Sequence, residues 1–195
     1  YEVGVVSDLA YGALGYRGYE NPSFLSTPGA KDVGVEFYTF SKTFNMAGWR
    51  LAFAAGNDQM IEALNLIQDH LFVGIFPALQ EAGIAALLDP KSEEAVAQLN
   101  ATYDSRRDAF VQAAAKIGWK AFPSKGSFYA WMPVPEGYTS ESFADLLLEK
   151  AHVAVAPGKG FGPAGDAYVR IGLLVEPERL VEAVDRIANL HLFNN

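Results

Sequence analysis

With 195 residues, half of them apolar, and no cysteine, the chain can build one large or two small cores but no disulfide framework or thiolate metal site. Its formal net charge of -8 argues against nucleic acid as the main partner, because phosphate binding needs a basic surface. No apolar run of about eighteen residues is present to span a membrane, and a chain without cysteine is compatible with the cytosol.

The chain opens at Tyr1 without a basic leader, and residues 2–6 (EVGVV) read as a buried strand entered partway, as in a longer chain, and ending at Ser7-Asp8. Residues 12–30, rich in Gly, Pro, Ser and Asn, predict a surface loop. A second strand is predicted over 33–40, with Ser41-Lys42 at its end, and a third over 51–55. From Asp58, which is read as the cap, the period becomes helical, with Met60, Ile61, Leu64 and Ile67 on one face. Helices follow over 77–88 and 92–117, the second closed by Gly118. Strands at 119–122, 127–132, 153–156 and 167–173 then mix with helices at 140–151 and 176–190. The pattern is α/β, in two units: 1–90, and 91–195 opening on the long helix.

The most informative string is Tyr38-Thr39-Phe40-Ser41-Lys42-Thr43-Phe44-Asn45-Met46-Ala47-Gly48-Trp49-Arg50. On spacing alone, a lysine after an apolar strand is usually a solvated strand end. Hydroxyls one and three residues before it and an arginine eight after are also what pyridoxal 5'-phosphate (PLP) requires. A lysine that condenses with an aldehyde must be partly neutral, a form that burial and nearby positive charge favour. Thr39, Ser41 and Arg50 can hold a phosphate, the arginine by forked bonds that lysine cannot make. Upstream, Asp8 either caps the next turn or serves as a strand-end carboxylate for a protonated ring nitrogen, which keeps that ring an electron sink. Downstream, Arg170 sits in the apolar run Ala167-Tyr168-Val169-Arg170-Ile171-Gly172-Leu173, where it needs an anion, from either an ion pair or a substrate.

Two further features carry less. Pro157-Gly158-Lys159-Gly160-Phe161-Gly162 is glycine-rich, but it precedes a strand and lacks the ending of a nucleotide loop, so it reads as a tight connection near the mouth of a site. His70, His152 and His191 show no metal-ligand spacing, and no metal is expected.

The string SKTFNMAGWR resembles the cofactor-lysine signature of the class I/II PLP-dependent aminotransferases of fold type I. The resemblance extends through Asp8-Leu9-Ala10-Tyr11, Gly126-Ser127-Phe128-Tyr129, the P-G-x-x-F-G connection and V-R-I-G. It implies the C-terminal half of the PLP-binding large domain followed by a small C-terminal α/β domain. It implies that Lys42 binds PLP, Asp8 bonds the ring nitrogen and Tyr11 the ring hydroxyl oxygen, and Thr39, Ser41 and Arg50 hold the phosphate. Arg170 would take the α-carboxylate of an amino acid or 2-oxo acid. Phe128 and Tyr129 would be mostly core, with one of them able to line the substrate pocket. A homodimer is implied, although many relatives carry a small hydroxyl residue reaching across the dimer where this chain has Val73-Gly74-Ile75. The nearest branch is that of Gram-positive aminotransferase A, assigned to N-acetyl-LL-diaminopimelate and 2-oxoglutarate. A fold type I lyase or decarboxylase, and a PLP-sensing domain of a regulator, are the competing readings.

Overall fold

The computed structural model describes residues 3–122 and 124–193. Tyr1 and Glu2, where the first predicted strand begins, lie outside the described residues. The chain divides into two compact units, Tyr1–Asn100 and Ala101–Asn195.

The first unit is built on three strands: β1 (Val5–Asp8), β2 (Gly34–Thr39) and β3 (Ala52–Gly56), in the order β1-β2-β3. β1 and β2 run parallel with Asp8 opposite Phe37, and β3 returns antiparallel with Ala52 opposite Thr39. The polar stretch before β2 is irregular apart from one tight turn at Phe24–Ser26 and a single helical turn, α1 (Ala30–Val33). It is fastened from beneath by Glu36. That side chain is only 7% exposed, and its carboxylate accepts from Ser7 Oγ at 3.0 Å, Ser23 Oγ at 2.6 Å and Phe24 N at 2.7 Å. Three donors compensate the desolvation of one carboxylate.

The strand predicted over 33–40 ends one residue early, at Thr39, and Phe40 joins Ser41 and Lys42 on one helical turn, α2 (Phe40–Thr43). Thr39 caps it, accepting from Ser41 N at 3.2 Å, so the chain turns out of β2 at once. Helix α3 (Asp58–Ile67) starts where the periodicity predicts, but its cap is Asn57, which accepts from Met60 N at 3.1 Å; Asp58 is the first helical residue. Helix α4 (Pro77–Leu88) approaches Phe40 and Leu51, the residues that follow β2 and precede β3, through Gly83, where a Cβ would stand 2.7 Å from Leu51 and 3.3 Å from Phe40. Glycine permits that contact, and Phe40 and Leu51 are buried beside it.

Helix α5 (Ser92–Lys116) spans the boundary between the units. The second unit holds a sheet of order β4-β6-β5, all pairs antiparallel: β4 (Tyr129–Pro133), β5 (Ala156–Pro157) and β6 (Tyr168–Gly172). Three strands stand among its described residues where four were predicted. Residues 119–122 make no ladder, because Trp119 is drawn into the core. It meets Phe110, Phe143 and Phe193, and its Nε1 donates to Pro133 O at 2.8 Å. The strand predicted over 153–156 is confined to Ala156–Pro157. Helices α6 (Ser140–Leu146), extended by a wider turn over Leu147–Ala151, and α7 (Pro177–Ala188) supply Phe143, Leu147, Leu180, Val184 and Ile187 to the same core.

Candidate functional site

Topology alone gathers the first group of predicted residues. Parallel strands end on the same edge of a sheet, and open α/β sheets bind ligands outside those carboxyl ends. β1 ends at Asp8 and β2 at Thr39, so Asp8, Thr39 and the turn carrying Ser41 and Lys42 share one edge. β3 runs the other way and begins at Ala52, which returns Arg50 to that edge. The result is a depression of about 470 Å³ lined by Asp8, Thr39, Ser41, Lys42 and Arg50, with Phe37, Ala10 and Ala47 among its walls.

The polar groups in it differ in how far they are committed. Thr39 Oγ1 donates to Ser41 Oγ at 3.0 Å, leaving the serine hydroxyl able to donate onward. Arg50 Nη1 donates to Ala47 O at 2.9 Å, and no carboxylate pairs with Arg50 among the described residues. Its backbone is left-handed, at φ 52, which costs a non-glycine residue about 1 kcal/mol and turns the chain from the Ala47–Trp49 turn into β3. Behind α2, the Tyr38 hydroxyl and Thr43 Oγ1 are 2.6 Å apart. Burial raises the Tyr38 pKa above its usual value and the bond to Thr43 works against that rise, so the phenol stays protonated.

Asp8 Oδ1 accepts from Ala10 N at 3.2 Å, so the capping reading of this residue holds in the structure. Asp8 lines the depression nonetheless. Tyr11 does not line it. Its residue belongs to a turn whose carbonyls at Tyr11, Gly12 and Leu14 all accept from Asn21 Nδ2, at 3.1–3.2 Å. Neither Asn21 nor Glu36 was apparent as a structural fastener in the sequence. Glu36 carried a usable signal, a charge inside an apolar strand, of the kind that marked Arg170.

Arg170 stands in the second unit. β6 alternates, with Val169 and Ile171 buried against the helices and Tyr168 and Arg170 on the other face. Arg170 is therefore not a core charge that an ion pair must rescue. Its guanidinium carbon lies 4.1 Å from the Tyr129 ring centroid and 4.2 Å from that of Phe161. Among the described residues no carboxylate pairs with it.

A carboxylate, a lysine, an arginine and two hydroxyls around one depression suit a ligand with a phosphate, an aldehyde and a basic ring nitrogen. The family model described as "Aminotransferase class I and II" matches residues 1–187. The chain belongs to that family, whose members use PLP. It is 59% identical over 189 residues to the L-glutamine--4-(methylsulfanyl)-2-oxobutanoate aminotransferase of Bacillus subtilis (strain 168), covering 97% of this chain and 47% of that protein. It is 47% identical over 187 residues to the LL-diaminopimelate aminotransferase of Moorella thermoacetica, covering 96% and 47%. Among solved structures, substrate-bound BacF from Bacillus subtilis superposes with a TM-score of 0.91 at 46% identity, covering 97% of this chain and 48% of that one. The chain thus spans about half the length of the curated relatives it matches.

Proposed function

We propose that the chain is part of a PLP-dependent aminotransferase that moves an amino group between an amino acid and a 2-oxo acid. The observation that carries this is the convergence of Asp8, Thr39, Ser41, Lys42 and Arg50 on one sheet edge. In this reading the first unit is the remainder of the PLP-binding large domain. The second is the small domain, with α5 as the joint. When bound, PLP supplies an aldehyde carbon to hold the amino group and a ring that accepts electrons.

The side chains then divide the work. Arg50, with the Thr39 and Ser41 hydroxyls, binds the phosphate dianion through charge-assisted bonds. Asp8 holds a proton on the ring nitrogen. Tyr11 bonds the ring oxygen, which requires its phenol to reach the depression. Lys42 would be the covalent attachment point, and its neutral amine would carry the proton from the substrate Cα to the aldehyde-derived carbon of the cofactor. Arg170 orients the α-carboxylate. The working form is a homodimer in the cytoplasm.

The proposed substrate pair is N-acetyl-LL-diaminopimelate with 2-oxoglutarate, in lysine biosynthesis. The names of the two curated relatives set two competing donors beside it, L-glutamine and LL-diaminopimelate. The test uses the full-length enzyme with PLP and each of the three donors, paired with 2-oxoglutarate or 4-(methylsulfanyl)-2-oxobutanoate, and identifies the products. Stoichiometric formation of a new amino acid and a new oxo acid is expected. Carbon dioxide or an eliminated fragment without amino transfer would establish a lyase or decarboxylase instead. Binding of PLP without any turnover would point to a sensing domain.

A further inference from the structure

Arg170 is unusual in what surrounds it. Four aromatic side chains occupy its face of the sheet or reach it. Tyr129 and Trp131 come from β4, Tyr168 from β6, and Phe161 from the glycine-rich connection. Trp131 is the cross-strand partner of Arg170 and stacks on Tyr168 at 5.5 Å, while Phe161 meets Trp131 edge-on at 5.9 Å. Two of these rings, Tyr129 and Phe161, contact the guanidinium itself.

The connection that delivers Phe161 is held firmly for a surface loop. Its Gly158–Phe161 turn packs against the Pro163–Ala167 turn so closely that a Cβ on Gly158 would lie 2.2 Å from Gly165 O, and one on Gly165 would lie 2.1 Å from Gly158 O. Ser140, fully buried at the start of α6, ties both turns together. Its hydroxyl donates to Asp166 Oδ1 at 2.7 Å and accepts from Lys159 N at 3.2 Å, and its own N–H donates to Asp166 Oδ1 at 3.1 Å. A loop fixed to this degree by backbone contact holds out a phenylalanine that is itself 53% exposed. Packing does not explain a ring kept half in solvent; contact with Arg170 does.

We infer that Tyr129 and Phe161 are positioning residues for substrate, clamping the Arg170 guanidinium so that its N–H edge is presented ready to bind a carboxylate. The inference rests on the reading of Arg170 as the substrate anchor. A guanidinium held by rings loses the rotamers that a free arginine must give up on binding, while its in-plane donors remain available because rings compete only for its flat faces. The glycine-rich connection thus acquires a role that its sequence does not announce: it is the support for one wall of the clamp.

The test uses the full-length enzyme loaded with PLP, with glutarate as an unreactive probe of carboxylate binding, measured by calorimetry alongside KM and kcat. Phe161→Leu and Tyr129→Leu are each expected to raise the glutarate Kd, and KM for donor and acceptor, about three- to tenfold with a smaller change in kcat. Phe161→Tyr, which keeps a ring, should restore most of the affinity. Combined with Arg170→Ala, Phe161→Leu should add nothing further. If both leucine variants bind glutarate normally while Arg170→Ala does not, the clamp is wrong and the anchor stands. If Arg170→Ala also binds normally, the anchor reading fails and the clamp with it. If Phe161→Leu weakens binding equally with and without Arg170, the ring acts directly and not through the arginine, which overturns the proposal. Phe161 is exposed enough for its leucine variant to fold, so this outcome does not depend on Tyr129→Leu.

Discussion

Arg50 and Arg170 are cations without carboxylate partners among the described residues, one at a sheet edge and one flanked by rings. Arg50 returns to the sheet edge of Thr39 because the turns after β2 lead straight into β3, which runs antiparallel to it. Arg170 was recognised for a reason that the structure revises. The expected cost of burial in an apolar strand does not arise, since strand alternation puts it opposite Val169 and Ile171. The contact of Phe161 with Arg170 is not legible in the sequence, because it is made across a loop whose path depends on Gly158 meeting Gly165. At Arg50 the account predicts that Arg50→Ala weakens PLP binding to the full-length enzyme about ten- to a hundredfold, the loss of charged bonds worth about 1.5–3 kcal/mol. Fluorescence titration of PLP measures this, and unchanged affinity would remove Arg50 from the phosphate site.

Strands β1, β2, β4 and β6 and the long helices are legible in the sequence, whereas the alternating run at 153–156 forms a strand only at Ala156–Pro157. What was not legible depended on tertiary competition. Residues 119–122 have strand-like composition, but Trp119 packs among Phe110, Phe143 and Phe193 and leaves no ladder there. The Lys42 turn left the strand early because Thr39 caps it, a local bond that hydrophobic period does not report. The Ser140–Asp166 tie yields a prediction with a definite sign. Hydrogen bonds from the Ser140 side chain and backbone, helped by Lys159, hold the Asp166 carboxyl below its ordinary value of 3.8. A lowered folded-state value means that the tie contributes fully above the unfolded value and is lost as pH falls through the folded one. Amide exchange at Lys159, whose N–H donates to Ser140 Oγ, should therefore lose protection on acidification below 3.8. Asp166→Asn should show weaker protection at neutral pH and no such step. An identical acid step in the asparagine variant would show that another group controls this loop.

The chain divides into two compact units and spans about half the length of the relatives it matches. In the first unit the stretch after α3 leaves Leu71 70%, Phe72 66%, Val73 89% and Phe76 68% exposed, a run of large apolar side chains that association would cover. No helix of the described residues is long and apolar enough to cross a membrane. The 195-residue chain by itself should therefore self-associate in sedimentation velocity and show no normal amino transfer with added PLP. A monodisperse, fully active 195-residue species would contradict the account. The central claim, that Lys42 is the cofactor lysine, is tested most directly by borohydride treatment of the full-length, PLP-loaded enzyme followed by peptide mass spectrometry. The reduced cofactor is expected on the peptide containing Lys42, with loss of that label in Lys42→Ala; a label on any other lysine would overturn the assignment.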